Sequence, residues 1–221
     1  PGGFEHTFHL ELTFETERVT VRELGGKETL PSVCPDRHIN EDGSFCLGWG
    51  DENPSHIVDE RTARSWWVTV YRFLTGQVGA SARGVFPGTE HGRAHGYAAR
   101  HQVNAEQAAA RLGPAFAQAD VLGELKVRKD ERPGRNRLEL WHEDKRIARV
   151  SVDTKMLVGG HTLCPCGKTP EHDIAVCGEH ARALSTFIIE RHLCNVEDRK
   201  FVDSMAANGV ECCGTLQVCS L

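Results

Sequence analysis

A change in hydrophobic period, on either side of an irregular stretch that still carries large apolar residues, narrows the folds open to this chain. Phe8, Leu10, Leu12 and Phe14 alternate with His9, Glu11 and Thr13, the period-2 pattern of a strand with one apolar face. Val19 and Val21 continue the pattern after a polar break, and Gly25-Gly26 marks a turn. A third short strand over 30–33 would complete an antiparallel meander. Periodicity then stops. The run CPDRHINEDGSFCLGWGDENP is built from turn-forming residues, yet it holds Phe45, Cys46, Leu47 and Trp49. A loop with such anchors is pinned to a core, and pinned loops are common homes for chemistry. Beyond it the period becomes helical. Ala63, Trp66, Trp67, Val70, Tyr71 and Leu74 share one stripe, with Gly76 as the expected terminator.

The rest of the chain reads as a second mixed region. Alanines over 104–112 predict a helix capped by Asn104 and ended by Gly113-Pro114. Strands are predicted over 122–128, 137–141 and 146–152, with 130–135 as a hairpin loop. A last helix over 179–193 presents Ala183, Leu184, Phe187 and Ile188 on one side. The predicted class is α+β: an antiparallel meander with helices, then a C-terminal β/α extension. The expected segments are 1–120, 121–158 and 159–221.

Charge and cysteine use limit the function classes. The net charge is −5, and the basic residues are scattered. The densest run, 126–137, is interrupted by Asp130 and Glu131, which predicts a solvated hairpin and no nucleic-acid face. No stretch approaches the ~18 apolar residues of a membrane helix, so no membrane partner is expected. Nine cysteines is an odd number, and the chain does not open on a basic-then-apolar leader. A reducing cytoplasm is therefore the expected setting, where thiols serve metals or catalysis. Cys34 and Cys46 lie early and the other seven after position 163, which suggests two different jobs.

In His38-Ile39-Asn40-Glu41-Asp42-Gly43-Ser44-Phe45-Cys46-Leu47 a carboxamide lies six residues before a thiol. Gly43 allows the chain to reverse between them. These residues alone also admit Cys46 as a small buried hydrophobe and Asn40 as a turn residue. The string resembles the active-site signature of ubiquitin-conjugating enzymes: His-Pro-Asn, a short turn with glycine, then Cys-Leu. The resemblance spans roughly residues 4–115 and implies roles. Cys46 would carry a ubiquitin-like modifier as a thioester, Asn40 would support the oxyanion, and His38 would hold the loop. Ile39 stands where eukaryotic members have proline, and their leading helix is expected to be missing or very short. Both departures are similar to the divergent bacterial branch of antiphage operons. There the implied partners are a modifier, an activating enzyme and a target protein. Pro87, Gly88, His91 and His95 also look like that branch. One of those histidines is a candidate to help deprotonate the incoming amine, though both read first as polar residues of a surface loop; Asp51 or Glu52 is a candidate to orient it and reads equally as a solvated loop charge.

A second constellation is Cys164-Pro165-Cys166, ten further residues, then Cys177-Gly178-Glu179-His180. Two close pairs on separate turns supply the four ligands of a structural zinc site, here Cys164, Cys166, Cys177 and His180. The first pair has one intervening residue where two are usual. His161, His172 and Cys194 are reserve ligands. Cys212, Cys213 and Cys219 lie in a tail without a second histidine cluster and read as incidental. Beside a conjugating enzyme, two other functions stay open: a cysteine hydrolase using Cys46, and an inactive adaptor of the same fold.

Overall fold

The computed structural model describes residues 5–16, 18–48, 56–86, 94–159, 163–164 and 172–221. The chain divides into two units, one of residues 1–93 and 200–221 and the other of 94–199.

In the first unit β1 (Leu10–Glu15) and β2 (Arg18–Glu23) form an antiparallel ladder running from Leu10↔Glu23 to Glu15↔Arg18. Val19 and Val21 face the core. The segment 44–45 joins the outer side of β2, through an Arg22↔Ser44 bridge and the Phe45 N–H on the Val21 carbonyl at 2.8 Å. The strand expected over 30–33 does not form. Instead, the Glu23 carboxylate accepts the backbone N–H groups of Thr29 and Leu30 at 2.8 and 2.7 Å and the Thr29 hydroxyl at 2.8 Å. A buried side chain thus satisfies backbone donors that a strand would have paired.

Helix α1 (Glu60–Arg83) starts at a reciprocal cap between Asp59 and Thr62 and ends at Gly84, whose φ is +68°. It runs past Gly76, because one interior glycine costs only about 1 kcal/mol relative to alanine. The two turns gained bury Gln77 and Ala80. The buried stripe is Trp66, Val70, Phe73, Gln77 and Ala80, rotated from the expected one: Trp67 and Tyr71 are 49% and 71% exposed. The core joins Val19, Val21, Ile39, Phe45, Trp66, Val70 and Phe73, with Phe45 and Phe73 stacked at 4.4 Å between ring centroids. A strand-borne valine pair and a helix stripe therefore clamp Phe45, the residue next to Cys46.

The second unit holds α2 (Tyr97–Arg111), α3 (Pro114–Val121), β3 (Leu125–Lys129), β4 (Arg137–His142) and β5 (Lys145–Ser151). The strands form one antiparallel sheet in the order β3-β4-β5. Helix α4 (Gly178–Ala207) begins in this unit. Asn104 does not cap α2 but sits inside it, donating to Glu190 at 3.1 Å. Gly113-Pro114 ends α2 as expected and also opens α3, which the alanine pattern did not separate. Ala105, Ala108 and Ala109 share a core with Leu138, Leu140, Val150, Leu184, Phe187 and Ile188. Small side chains on one helix and large ones on the sheet and α4 fill the same layer. Asp120 and Arg191 form a buried ion pair between α3 and α4. Burial pushes the Asp120 carboxyl up, against the pull of Arg191. The hairpin between β3 and β4 closes where Arg132 grips Asp130 at 2.6 and 2.7 Å, taking that carboxyl down to about 2. Among the described residues no helix is long and apolar enough to cross a membrane.

Candidate functional site

The loop before Cys46 is two nested turns. Pro35–Arg37 makes one 3-10 turn, closed by paired backbone hydrogen bonds between Cys34 and Ile39 at 3.0 and 3.1 Å. His38 leaves that turn with φ +55°, in the left-handed region that few non-glycine residues adopt. The second turn runs from Asn40 to Gly43 (φ +77°), with the Gly43 N–H on the Asn40 carbonyl at 2.9 Å. Ile39 then pairs with Phe45 across the hairpin. Both are buried, so alternation sends their neighbours Asn40 and Cys46 to the opposite face. On adjacent strands such positions are diagonal neighbours, about 7–8 Å apart.

Cys46 is half-buried and Asn40 exposed. The Cys46 N–H donates to the His38 carbonyl at 2.8 Å, so the left-handed His38 fixes the backbone beneath the thiol. The His38 ring meets Phe86 edge-on at 5.6 Å. Burial pushes the Cys46 thiol up, and a hydrogen bond from the Gly48 backbone offsets part of that. Among the described residues no imidazole or carboxylate bonds this sulfur. The Asn40 carboxamide donates to Ser44 Oγ at 3.0 Å, and Ser44 donates in turn to Asp42 at 2.6 Å. The carboxamide thus shares a face with the thiol while held by a short relay of its own loop.

Sequence reasoning missed what braces this loop. Arg37 is 1% exposed. It donates to Gln77 Oε1 at 2.7 Å, to the Gln77 carbonyl at 3.2 Å, to Ser81 at 3.0 Å and to Thr215 at 2.9 Å. Gln77 answers by donating to the Arg37 carbonyl at 2.6 Å. The only signal in sequence was a polar residue at a buried helical position, directly after Gly76.

In the second unit Leu163 pairs with Asp173, and the Cys164 N–H donates to the His172 carbonyl at 2.9 Å. Asp173 caps a short turn, Ile174–Val176, whose Ile174 is anchored in the core, and Cys177 leads into α4. These elements gather thiols and imidazoles. One ligand atom each of Cys164, His172 and Cys177 lie within 4.8 Å of one another. His180 Nδ1 is 3.0 Å from the Cys164 sulfur and 3.4 Å from that of Cys177. The Cys177 thiol is pulled down to about 6, first by hydrogen bonding with His172, then by the His180 backbone and Cys164. Cys164, His172 and Cys177 offer two sulfurs and one ring nitrogen to a metal ion, and His180 borders both sulfurs. His172, a reserve ligand in the sequence, stands in the group. Cys194 is buried on α4, its thiol raised by burial and bonded by Arg191, away from the group.

His95 Nδ1 lies 2.9 Å from Asp198 and His101 Nδ1 lies 2.7 Å from Glu190, pairs that tie α2 and the residues before it to α4. His95 is thus engaged within the second unit. Cys166, His161, His91, Pro87, Gly88, Trp49, Asp51 and Glu52 lie outside the described residues.

Comparison with protein families gives two matches. The prokaryotic E2 domain matches residues 2–88, and the cysteine-rich domain C-terminal to the E2 domain matches residues 94–221. The gap between them falls where the two units divide. No curated protein and no solved structure matched the chain. An E2 domain is a ubiquitin-conjugating domain, which implies a general conjugating role with a ubiquitin-like modifier and an activating enzyme. The chain belongs to the divergent bacterial E2-like family in which a cysteine-rich domain follows the E2 domain.

Proposed function

We propose that Cys46 accepts the C-terminal carboxyl of a ubiquitin-like modifier as a thioester and passes it to an amine on a target protein, in antiphage defence. The observation that carries this reading is the hairpin of Ile39 and Phe45, which buries its own pair and turns Asn40 and Cys46 to one outer face. In the first step the Cys46 sulfur attacks the carbonyl of the modifier held as a thioester on the activating enzyme, and that enzyme's thiolate leaves. In the second step an amine attacks the Cys46 thioester, the Asn40 carboxamide donates to the oxyanion, and the Cys46 thiolate leaves as the amine sheds a proton. His38 shapes the loop through its carbonyl and its left-handed backbone.

A thiol raised by burial suits a carrier. Among the described residues no imidazole bonds the sulfur, and a hydrolase would need one to activate it. We further propose that Cys164, His172, Cys177 and His180 hold zinc as a structural ion, which when bound ties the start of α4 to the preceding loop. Cys164 and Cys177 supply thiolates, and the backbone pairing of Leu163 and Asp173 presets their separation.

The test is to incubate the protein with its modifier, the activating enzyme and ATP, and to compare gels with and without reductant. A reductant-labile adduct that Cys46→Ala abolishes, with discharge to amines slowed in Asn40→Ala, is the expected result. No adduct would sink the reading in favour of an adaptor.

A further inference from the structure

The outer face of the β3-β4-β5 sheet gathers charge that the chain as a whole does not have. Cross-strand partners share a face, and the register sorts the side chains into two sets. Val127, Leu138, Leu140, Ala148 and Val150 turn inward to the core. The opposite face is laid out in two rows across the sheet: Arg128, Glu139 and Arg149, then Lys126, Trp141 and Arg146. In each row a cation on either outer strand flanks the residue of the central strand β4. Arg137 extends the face beyond the first row, opposite Ser151. The run 126–137 read alone predicted no nucleic-acid face, because Arg146 and Arg149 join it only when β5 pairs with β4.

The fold does not neutralise this charge. Glu139 is engaged by Arg146 at 3.0 Å and by Arg132 at 3.5 Å, and Asp130 is gripped by Arg132. Among the described residues no carboxylate forms an ion pair with Lys126, Arg128, Arg137 or Arg149. Burial, then Arg146 and Arg132, and lastly Arg137 hold the Arg149 guanidinium below its ordinary value, against the opposing pull of Glu139. At the centre two guanidinium groups lie over Trp141, that of Arg128 at 5.2 Å and that of Arg146 at 5.9 Å from the ring centroid. The indole Nε1 has no hydrogen-bond partner among the described residues, so the ring is held by its faces and not by its donor.

Crowded cations without matching carboxylates call for a polyanion, and planar indole and guanidinium groups among them call for bases as well as phosphates. The carboxylates of an acidic protein would answer the charge and leave the planar groups unused. A duplex keeps its bases stacked on one another and offers no face to the indole.

We propose that the outer face of this sheet binds single-stranded nucleic acid, with phosphates on Lys126, Arg128, Arg137 and Arg149 and bases stacked on Trp141 and its two arginines. The face lies in the cysteine-rich domain and needs no thioester, so it goes beyond the conjugating role and stands apart from Cys46.

Fluorescence anisotropy of the full chain with a labelled oligothymidylate of about 12 nucleotides, across a salt series, tests this. Four phosphates neutralised on a single strand predict a slope of log affinity against log salt of about −3. Arg128 is exposed, so Arg128→Gln leaves the core intact. It should weaken binding and make the slope shallower by about 0.7. Trp141→Ala should weaken binding about tenfold or more through lost stacking. Trp141→Phe, which keeps a ring and breaks no hydrogen bond, should bind nearly as the parent does. So should Cys46→Ala, which separates failure of this face from failure of the thioester. The proposal would be overturned by no binding at low salt, by equal binding of a duplex of the same length, or by an unchanged affinity in Trp141→Ala. Displacement of the oligonucleotide by polyglutamate at equal charge would also overturn it, and would mark the face as one for an acidic protein.

Discussion

The two regions built around sulfur treat it in opposite ways. At Cys46 a single thiol stands half-buried on a hairpin, its backbone N–H bonded to the His38 carbonyl and its ionisation opposed by burial. At the start of α4 the Cys177 thiol has His172, His180 and Cys164 around it and is pulled down to about 6. The lone Cys46 sulfur is held neutral by burial, whereas the crowded Cys177 sulfur is inclined to ionise. The same residue type thus ionises reluctantly or readily, according to how many donors the neighbouring backbone brings near it.

The largest expected contrast is in stability. Cys177→Ser, or removal of metal by a chelator, should cost about 4 kcal/mol or more, the range of lost metal sites. Cys46→Ser should stay within about 1 kcal/mol. Chemical denaturation of both variants checks the pair, and equal losses would break the contrast. Next is the support of the hairpin. Trp66→Ala should cost about 3–5 kcal/mol because Trp66 is buried in the core behind Phe45, while the half-exposed Trp67→Ala should cost less than about 1.5 kcal/mol.

A pH series sharpens the comparison further. The folded-state pKa of Cys46 is raised, so the neutral thiol persists above pH 9, the ordinary value, and the thiolate accumulates only beyond it. Alkylation by iodoacetamide, followed at the Cys46 peptide by mass spectrometry, should therefore still be climbing at that pH. The accompanying contribution to stability is fully present below the unfolded value and is lost as pH rises from there through the raised folded value. A plateau near neutrality would show an activated thiol and favour the hydrolase. The smallest effect expected is that of Ser44→Ala, which frees the Asn40 carboxamide. It should change stability by less than about 1 kcal/mol, while altering the rate of discharge to an amine in single-turnover assays.

Much of this architecture was legible because periodicity reports burial directly. Val19, Val21, Trp66 and Val70 lie in the core, as do Ala183, Leu184, Phe187 and Ile188. The three strands of the second sheet fall close to where alternation put them. What the sequence hid were contacts between residues far apart. The Glu23 carboxylate replaces a strand, Arg37 and Gln77 are buried partners, and the Cys213 sulfur meets that of Cys34 at 3.0 Å. No local pattern records such pairings, since each becomes satisfied only when the chain closes. Gly76 misled for a related reason: a helix breaker in isolation is tolerated where further turns are packed. For the site, the spacing of Asn40, Gly43 and Cys46 sufficed to bring out the hairpin, and the engagement of Asn40 by Ser44 did not show. His172 was visible only as a spare histidine, because the Leu163–Asp173 pairing that brings it to Cys164 lies between two irregular segments.

The central claim is that the Cys46 sulfur holds the modifier. Intact mass measurement of Cys46→Ser, after incubation with modifier, activating enzyme and ATP, addresses it most directly. The predicted result is a single added modifier, less one water, joined by an oxyester that survives reductant and maps to position 46. An unmodified Cys46→Ser, paired with a Cys46→Ala variant that still forms the reductant-labile adduct, would contradict the account.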